Sequence, residues 1–141
     1  MTERLSIVGL GGSLARTSRS LAALRVALDG AAEAGAATTL LDLRELDLPM
    51  YNPDDEGEPP PAATRLMEAC YGADGMLWSS PMYNGSVSGS FKNAIDWLHM
   101  LGTREPPYLH DEVIGLISAA GGTQGLQVVN AMEFSRSEER V

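Results

Sequence analysis

Short apolar runs alternate along the chain with longer stretches in which apolar residues return every third or fourth position. Leu5-Ser6-Ile7-Val8-Gly9-Leu10 reads as a buried strand that stops at Gly11-Gly12. Residues 18–34 place Leu21, Leu24, Leu28 and Ala32 at helical spacing, with Gly35 as the stop signal. Thr38-Thr39-Leu40-Leu41-Asp42-Leu43 reads as a second strand, followed over 44–61 by an acidic surface loop with repeated Pro and Gly. The pattern predicts a second helix over 62–71 and a third strand over Gly75-Met76-Leu77-Trp78-Ser79. A third helix over 89–100 sets Phe91, Ile95 and Leu98 on one face. A turn-rich connection over 102–111 leads to a fourth strand, Val113-Ile114-Gly115-Leu116-Ile117-Ser118. The glycine-rich stretch Ala119-Ala120-Gly121-Gly122-Thr123 then opens into a short helical segment over 124–132. Residues 133–141 are polar, lack a strand pattern and are expected to form a frayed tail.

Strands that alternate with helices and are apolar on both sides imply an α/β fold, a doubly wound parallel sheet with helices on both faces. Right-handed crossovers leave few topologies, and the order 2-1-3-4 fits best. The expected organisation is one domain over 1–132 with a tail over 133–141. A length of 141 residues, 44% hydrophobic and 21% charged, suits one soluble domain. A net charge of −9 argues against partners that are nucleic acids or anionic membranes, because both would repel it. Cys70 is the single cysteine, which excludes an internal disulfide and gives no support to a cysteine metal cluster; it reads as a small apolar packing residue. No apolar run reaches membrane-spanning length and residues 1–12 lack a secretion-signal pattern, so the expected compartment is the cytoplasm.

In open α/β sheets ligands bind outside the carboxyl ends of the strands, so the exit loops carry the chemistry. The first, Gly9-Leu10-Gly11-Gly12-Ser13-Leu14, resembles a dinucleotide fingerprint, but Leu14 stands where the third Gly or Ala is needed, and no Gly-Lys-Ser/Thr follows. Instead Ser13-Leu14-Ala15-Arg16-Thr17-Ser18-Arg19-Ser20 opens a helix with hydroxyls and two guanidinium groups. Free N–H groups at a helix start, with hydroxyls and Arg, suit a terminal phosphate monoester. The same residues also allow a plainer reading, in which Ser18 or Ser20 caps the helix and the arginines are solvated. The second loop, Ser79-Ser80-Pro81-Met82-Tyr83-Asn84-Gly85-Ser86, offers an aromatic and an amide to a flat heterocycle. The third, Gly121-Gly122 after Ser118, is placed to close the ring pocket. Phosphate at one loop and a ring at two others match FMN at the switch point of a flavodoxin-like order. Ser13, Arg16, Ser18, Ser20, Pro81, Met82, Tyr83, Asn84, Gly85, Ser118, Gly121 and Gly122 are the candidate cofactor residues. His99 and His110 have no spacing that suggests a metal site or a triad, and no catalytic side chain is assigned. Lys92 and Asp96 read as a solvated helix pair, Trp97 as core or interface, Asp42 as a solvated carboxylate, and Tyr51 as a loop residue that nothing fixes.

At these residues the sequence resembles the NADPH-dependent FMN reductase family. The matching motifs are Gly12-Ser13-Leu14 with Ser18, Pro81-x-Tyr83-Asn84-Gly85-Ser86 with Phe91-Lys92-Asn93-Ala94-Ile95-Asp96-Trp97, and Gly121-Gly122. The resemblance spans residues 5–132. It implies a flavodoxin-like fold, FMN phosphate at Ser13, Ser18 and Ser20, and isoalloxazine contacts from Pro81 to Gly85 and from Gly121-Gly122. It also implies NADPH or NADH as co-substrate and assembly as a homodimer or tetramer. The acceptor would be a small molecule: FMN itself, a quinone, an azo compound or a metal oxyanion. Two positions depart from the family pattern: Ala15 stands where Arg is common, with Arg16 one place later, and Ser20 stands where Asn is common. The family continues into a fifth parallel strand and a last helix, so the expectation here is a four-stranded sheet without the usual fifth strand and with the fourth as an open edge. Two other readings stay open, a flavin-binding electron carrier that docks through its acidic surface and a non-catalytic truncated remnant.

Overall fold

A computed structural model describes residues 3–138, with side chains in the last helix described as far as Arg136. Four parallel strands, β1 (Ser6–Gly11), β2 (Ala37–Asp42), β3 (Gly75–Pro81) and β4 (Val113–Ala119), pair in the order β2-β1-β3-β4. The helices are α1 (Arg19–Glu33), α2 (Leu43–Leu46), α3 (Pro61–Tyr71), α4 (Gly89–Leu98) and α5 (Leu126–Glu138), with a 3-10 turn at His99–Thr103. The expected doubly wound order is therefore the one adopted.

Alternation along the strands decides which helix covers which face. Gly9 faces α1 and lets it settle close, since a Cβ there would come within 2.7 Å of the Leu28 side chain. The opposite face carries the main core: Val8, Leu10, Met76 and Trp78 pack with Leu66 of α3, Phe91 and Ile95 of α4, and Val128 and Met132 of α5. Trp78 is fully buried and meets Phe91 edge to face at 5.7 Å. Cys70 sits in this core, where burial, with Glu112 adding a smaller push, raises its thiol to about 12, so it packs as an apolar group.

Several expectations need correction. α5 runs to Glu138 rather than stopping at 132, so the described part of the proposed tail is helical. The helix is held past Met132, itself fully buried, because Ser135 Oγ donates to the Ala131 carbonyl and Arg136 donates to the Glu112 carbonyl, each at 2.9 Å. Residues 139–141 of that tail lie outside the described residues. Pro81 ends β3 rather than opening a loop. The 44–61 segment is not loop throughout, since residues 44–46 belong to the short α2, and Asp42 is a buried N-cap rather than a solvated carboxylate: its Oδ1 accepts from Arg44 N–H at 2.9 Å. Tyr51 is fixed: its N–H donates to Asn93 Oδ1 at 2.8 Å, and its ring meets Trp97 at 5.3 Å. Among the described residues β4 forms one edge of the sheet, and its first residue, Val113, is 75% exposed.

Candidate functional site

Register brings the exit loops together. Gly11 pairs with Ser79 and Pro81 with Ala119, so the chain leaves β1, β3 and β4 side by side, about 4.8 Å apart per strand. β1 and β3 approach so closely here that a Cβ on Gly11 would lie 2.2 Å from the Ser79 carbonyl oxygen. Gly12 then takes φ +89 and its N–H donates to that same oxygen at 3.2 Å. A glycine is needed at both positions, at Gly11 for lack of space and at Gly12 for the left-handed backbone.

The first loop runs over 12–18 into α1. Ser18 is the N-cap, its Oγ accepting from Leu21 N–H at 3.2 Å, and it shares a hydrogen with Ser20 Oγ at 2.9 Å. The plainer capping reading of Ser18 is thus part of the structure. Ser13 is buried and its Oγ accepts from Ala15 N–H at 3.3 Å, while Ser20 is buried behind the loop. Arg16 and Arg19 are exposed and pair with no carboxylate among the described residues. The first-turn N–H groups of Arg19 and Ser20 have no intrahelical acceptor and carry the positive end of the helix. Hydroxyls, free N–H groups and unpaired guanidiniums at one helix start are a donor set that fits a phosphate monoester.

The second loop is a tight hairpin. Tyr83 and Ser86 exchange N–H to carbonyl bonds at 2.9 and 3.1 Å around Asn84 (φ +51) and Gly85 (φ +79), a type I′ turn. The turn holds Tyr83 half out in solvent at 49% exposure, while Met82 packs inward against the core. A side chain on Gly85, Gly121 or Gly122 would meet nothing within 4 Å, so open space lies above these backbones, as a flat ring needs. Ser118 Oγ donates to the Gly125 carbonyl at 2.7 Å and so closes the third loop. A cleft of about 430 Å³ opens between Ser118, Gly122, Thr123 and Leu126, and one of about 160 Å³ between Leu14, Met50 and Ser90. Leu14, Met50, Tyr83 and Leu126, one exposed apolar side chain near each exit, surround this end of the sheet.

Sequence reasoning missed residues that build the site from behind. Asn93 donates to the Pro49 carbonyl and accepts from Tyr51 N–H, and Trp97 Nε1 donates to the same Pro49 carbonyl, so α4 pins the segment carrying Met50. Ser79 and Ser80, both fully buried, bond to the flanking loops; two polar residues ending an apolar strand were the available signal. Lys92 and Asp96 form the exposed ion pair expected of them. Among the described residues no cluster of His, Cys, Asp or Glu could hold a metal, and no helix is long and apolar enough to cross a membrane.

Comparison with known proteins agrees with this fold. Residues 5–135 match the family described as NADPH-dependent FMN reductase. A probable NADPH:quinone oxidoreductase of Oryza sativa subsp. japonica is 34% identical over 125 residues, which cover 87% of this chain and 60% of that protein. An NAD(P)H-dependent FMN reductase of Pseudomonas aeruginosa is 38% identical over 98 residues, 69% of this chain and 51% of that protein. The chain thus spans little more than half of these curated relatives. The solved structure of FerB, a flavoenzyme NAD(P)H:(acceptor) oxidoreductase from Paracoccus denitrificans, superposes with a TM-score of 0.78 at 25% identity, covering 96% of this chain and 72% of that one. With the family match running through all four strands and the three exit loops, the chain belongs to the NADPH-dependent FMN reductase family.

Proposed function

We propose that this chain binds FMN and serves NAD(P)H-dependent reduction of a small-molecule acceptor: free flavin, a quinone, an azo compound or a metal oxyanion. The observation that carries the reading is the locking of the first loop onto β3, through Gly12 N–H and the Ser79 carbonyl, beside the Asn84-Gly85 turn. In this reading Ser13, Arg16, Ser18 and Ser20, with the N–H groups of the first turn of α1, hold the phosphate. Pro81, Met82, Tyr83, Asn84 and Gly85 border one side of the ring, and Ser118, Gly121 and Gly122 the other. Bound FMN supplies the hydride- and electron-transfer chemistry. The protein's own part is to fix the phosphate as an anchor, align the ring against the turn, and leave an open apolar approach past Tyr83 for nicotinamide and acceptor. No side chain here is asked to move a proton. The reading extends to a homodimer or tetramer, as the family resemblance implies, and to the cytoplasm as its compartment.

The test is to titrate the purified chain with FMN and then follow oxidation of NADPH and NADH with excess flavin or a quinone. Flavin retention with turnover is the expected result. Flavin retention without turnover would make the protein an electron carrier, and failure to hold flavin would overturn the reading.

A further inference from the structure

The polar residues that end the strands form a pattern that the cofactor contacts do not use. Ser79 and Ser80 are adjacent and both fully buried, and they point to opposite faces of β3. Ser79 Oγ donates to the Ser20 carbonyl at 2.8 Å, across 59 positions of chain, while its own carbonyl accepts from Gly12 N–H. One residue of β3 thus grips both ends of the first loop, its start at Gly12 and its finish in the first turn of α1. Ser80 does the same for the second loop from the other face. Its Oγ accepts from Ser88 N–H and donates to the Pro81 carbonyl, both at 2.9 Å, joining the two ends of the 81–88 segment that carries the Asn84-Gly85 turn. Ser88 in turn caps α4 by accepting from Phe91 N–H.

We infer that Ser79 and Ser80 are positioning residues with separate duties, Ser79 setting the phosphate-binding loop and Ser80 setting the ring-binding loop. This rests on the FMN reading above. Neither hydroxyl is free to touch a ligand, because each is buried and already bonded. Their effect passes through the loops they hold. The division follows from direction: Ser79 reaches only elements of the first loop, and Ser80 only those of the second. The Ser20 carbonyl sits in the same first helical turn as the free N–H groups, so releasing it loosens the donors that would surround a phosphate. Ser88 N–H is buried with Ser80 Oγ as its acceptor, so removing that oxygen leaves a donor unpaired under the turn.

FMN and riboflavin differ only in the phosphate, which makes their affinity ratio a readout for the first loop alone. Dissociation constants for both flavins, from quenching of flavin fluorescence, are measured for the unaltered chain, Ser79→Ala and Ser80→Ala. Ser79→Ala is expected to weaken FMN about tenfold, the order of one geometry-setting hydrogen bond, and to leave riboflavin within about twofold. Ser80→Ala is expected to weaken both flavins by the same factor and leave their ratio intact. If Ser79→Ala does not fold, Ser79→Cys keeps the volume with a weaker donor and takes its place in the same comparison. An unaltered chain that binds FMN no better than riboflavin would overturn the phosphate site itself. An unaltered chain that prefers FMN, with the full preference kept in Ser79→Ala or lost equally in Ser80→Ala, would overturn the division of duties. So would a Ser79→Ala variant that melts at lower temperature with both flavin affinities reduced in step, since that is what a merely structural serine would give.

Discussion

Trp78 of β3 and Leu116 of β4 are register partners, yet their surroundings differ. β3 lies inside the sheet, with α1 on one face and α3 and α4 on the other, and from Gly75 to Ser80 every residue but the half-buried Leu77 is buried. β4 is an edge of the described sheet; it is exposed at Val113 and only half-buried from there to Ala119. The loop leaving β3 is tied at both ends by a buried serine, whereas among the described residues the loop leaving β4 is closed by the Ser118 to Gly125 bond at its far end. The contrast teaches where rigidity resides in this molecule. The first two loops are built on the enclosed half of the sheet, and the third is presented by its more open half.

The largest test of that contrast removes bulk on each side. Trp78→Ala empties a fully enclosed position and should cost about 3–5 kcal/mol, a large share of the stability of an ordinary domain, read as a urea midpoint far below that of the unaltered protein. Leu116→Ala, at a half-buried position, should cost under about 2 kcal/mol and leave a cooperative transition in urea. Equal losses would break the comparison. Next in size is Asn93→Ala, which strips the Pro49 carbonyl of one donor and leaves Tyr51 N–H without its acceptor. A loss of about 1–3 kcal/mol is expected, with increased exchange of the Tyr51 amide.

Glu112 sharpens the picture at the open half. It precedes β4, and burial, with the charge of Asp74 adding to it, raises its carboxyl to about 7 from an ordinary 4.5. Its Oε2 finds no hydrogen-bond partner among the described residues. A raised carboxyl means that the folded protein holds a proton the unfolded chain has released, so stability falls as pH rises from about 4.5 to about 7. Solvent around this half-buried group screens the effect to about 1 kcal/mol. Glu112→Gln should therefore be more stable than the unaltered protein at pH 8 and match it at pH 4, by urea denaturation at each pH. The smallest effect belongs to the exposed Lys92–Asp96 pair, where Lys92→Ala should shift stability by no more than about 0.5 kcal/mol.

The enclosed half was also the more legible in sequence. β1 and β3 are apolar runs ended by breakers, and Asn84-Gly85 between extended residues is a strong local signal for the turn that forms. Ser18 as a helix start was legible for the same reason, since capping is a local affair. Local patterns could not give the strap at Pro49–Tyr51, whose partners on α4 lie 42 to 48 positions away. Asp42 hid in the same way: it reads as polar at a strand end, and only the fold buries it as the cap of α2. α5 overran its expected end because its anchors past Met132 include the Glu112 carbonyl across the fold, which no helical periodicity records.

The central claim is that three separate loops form one flavin site. Amide hydrogen exchange with and without saturating FMN tests it most directly. The account predicts slowed exchange in all three segments together, 13–20, 82–87 and 121–125, with little change elsewhere in the sheet. Protection confined to one of them, or absent from the first, would contradict it.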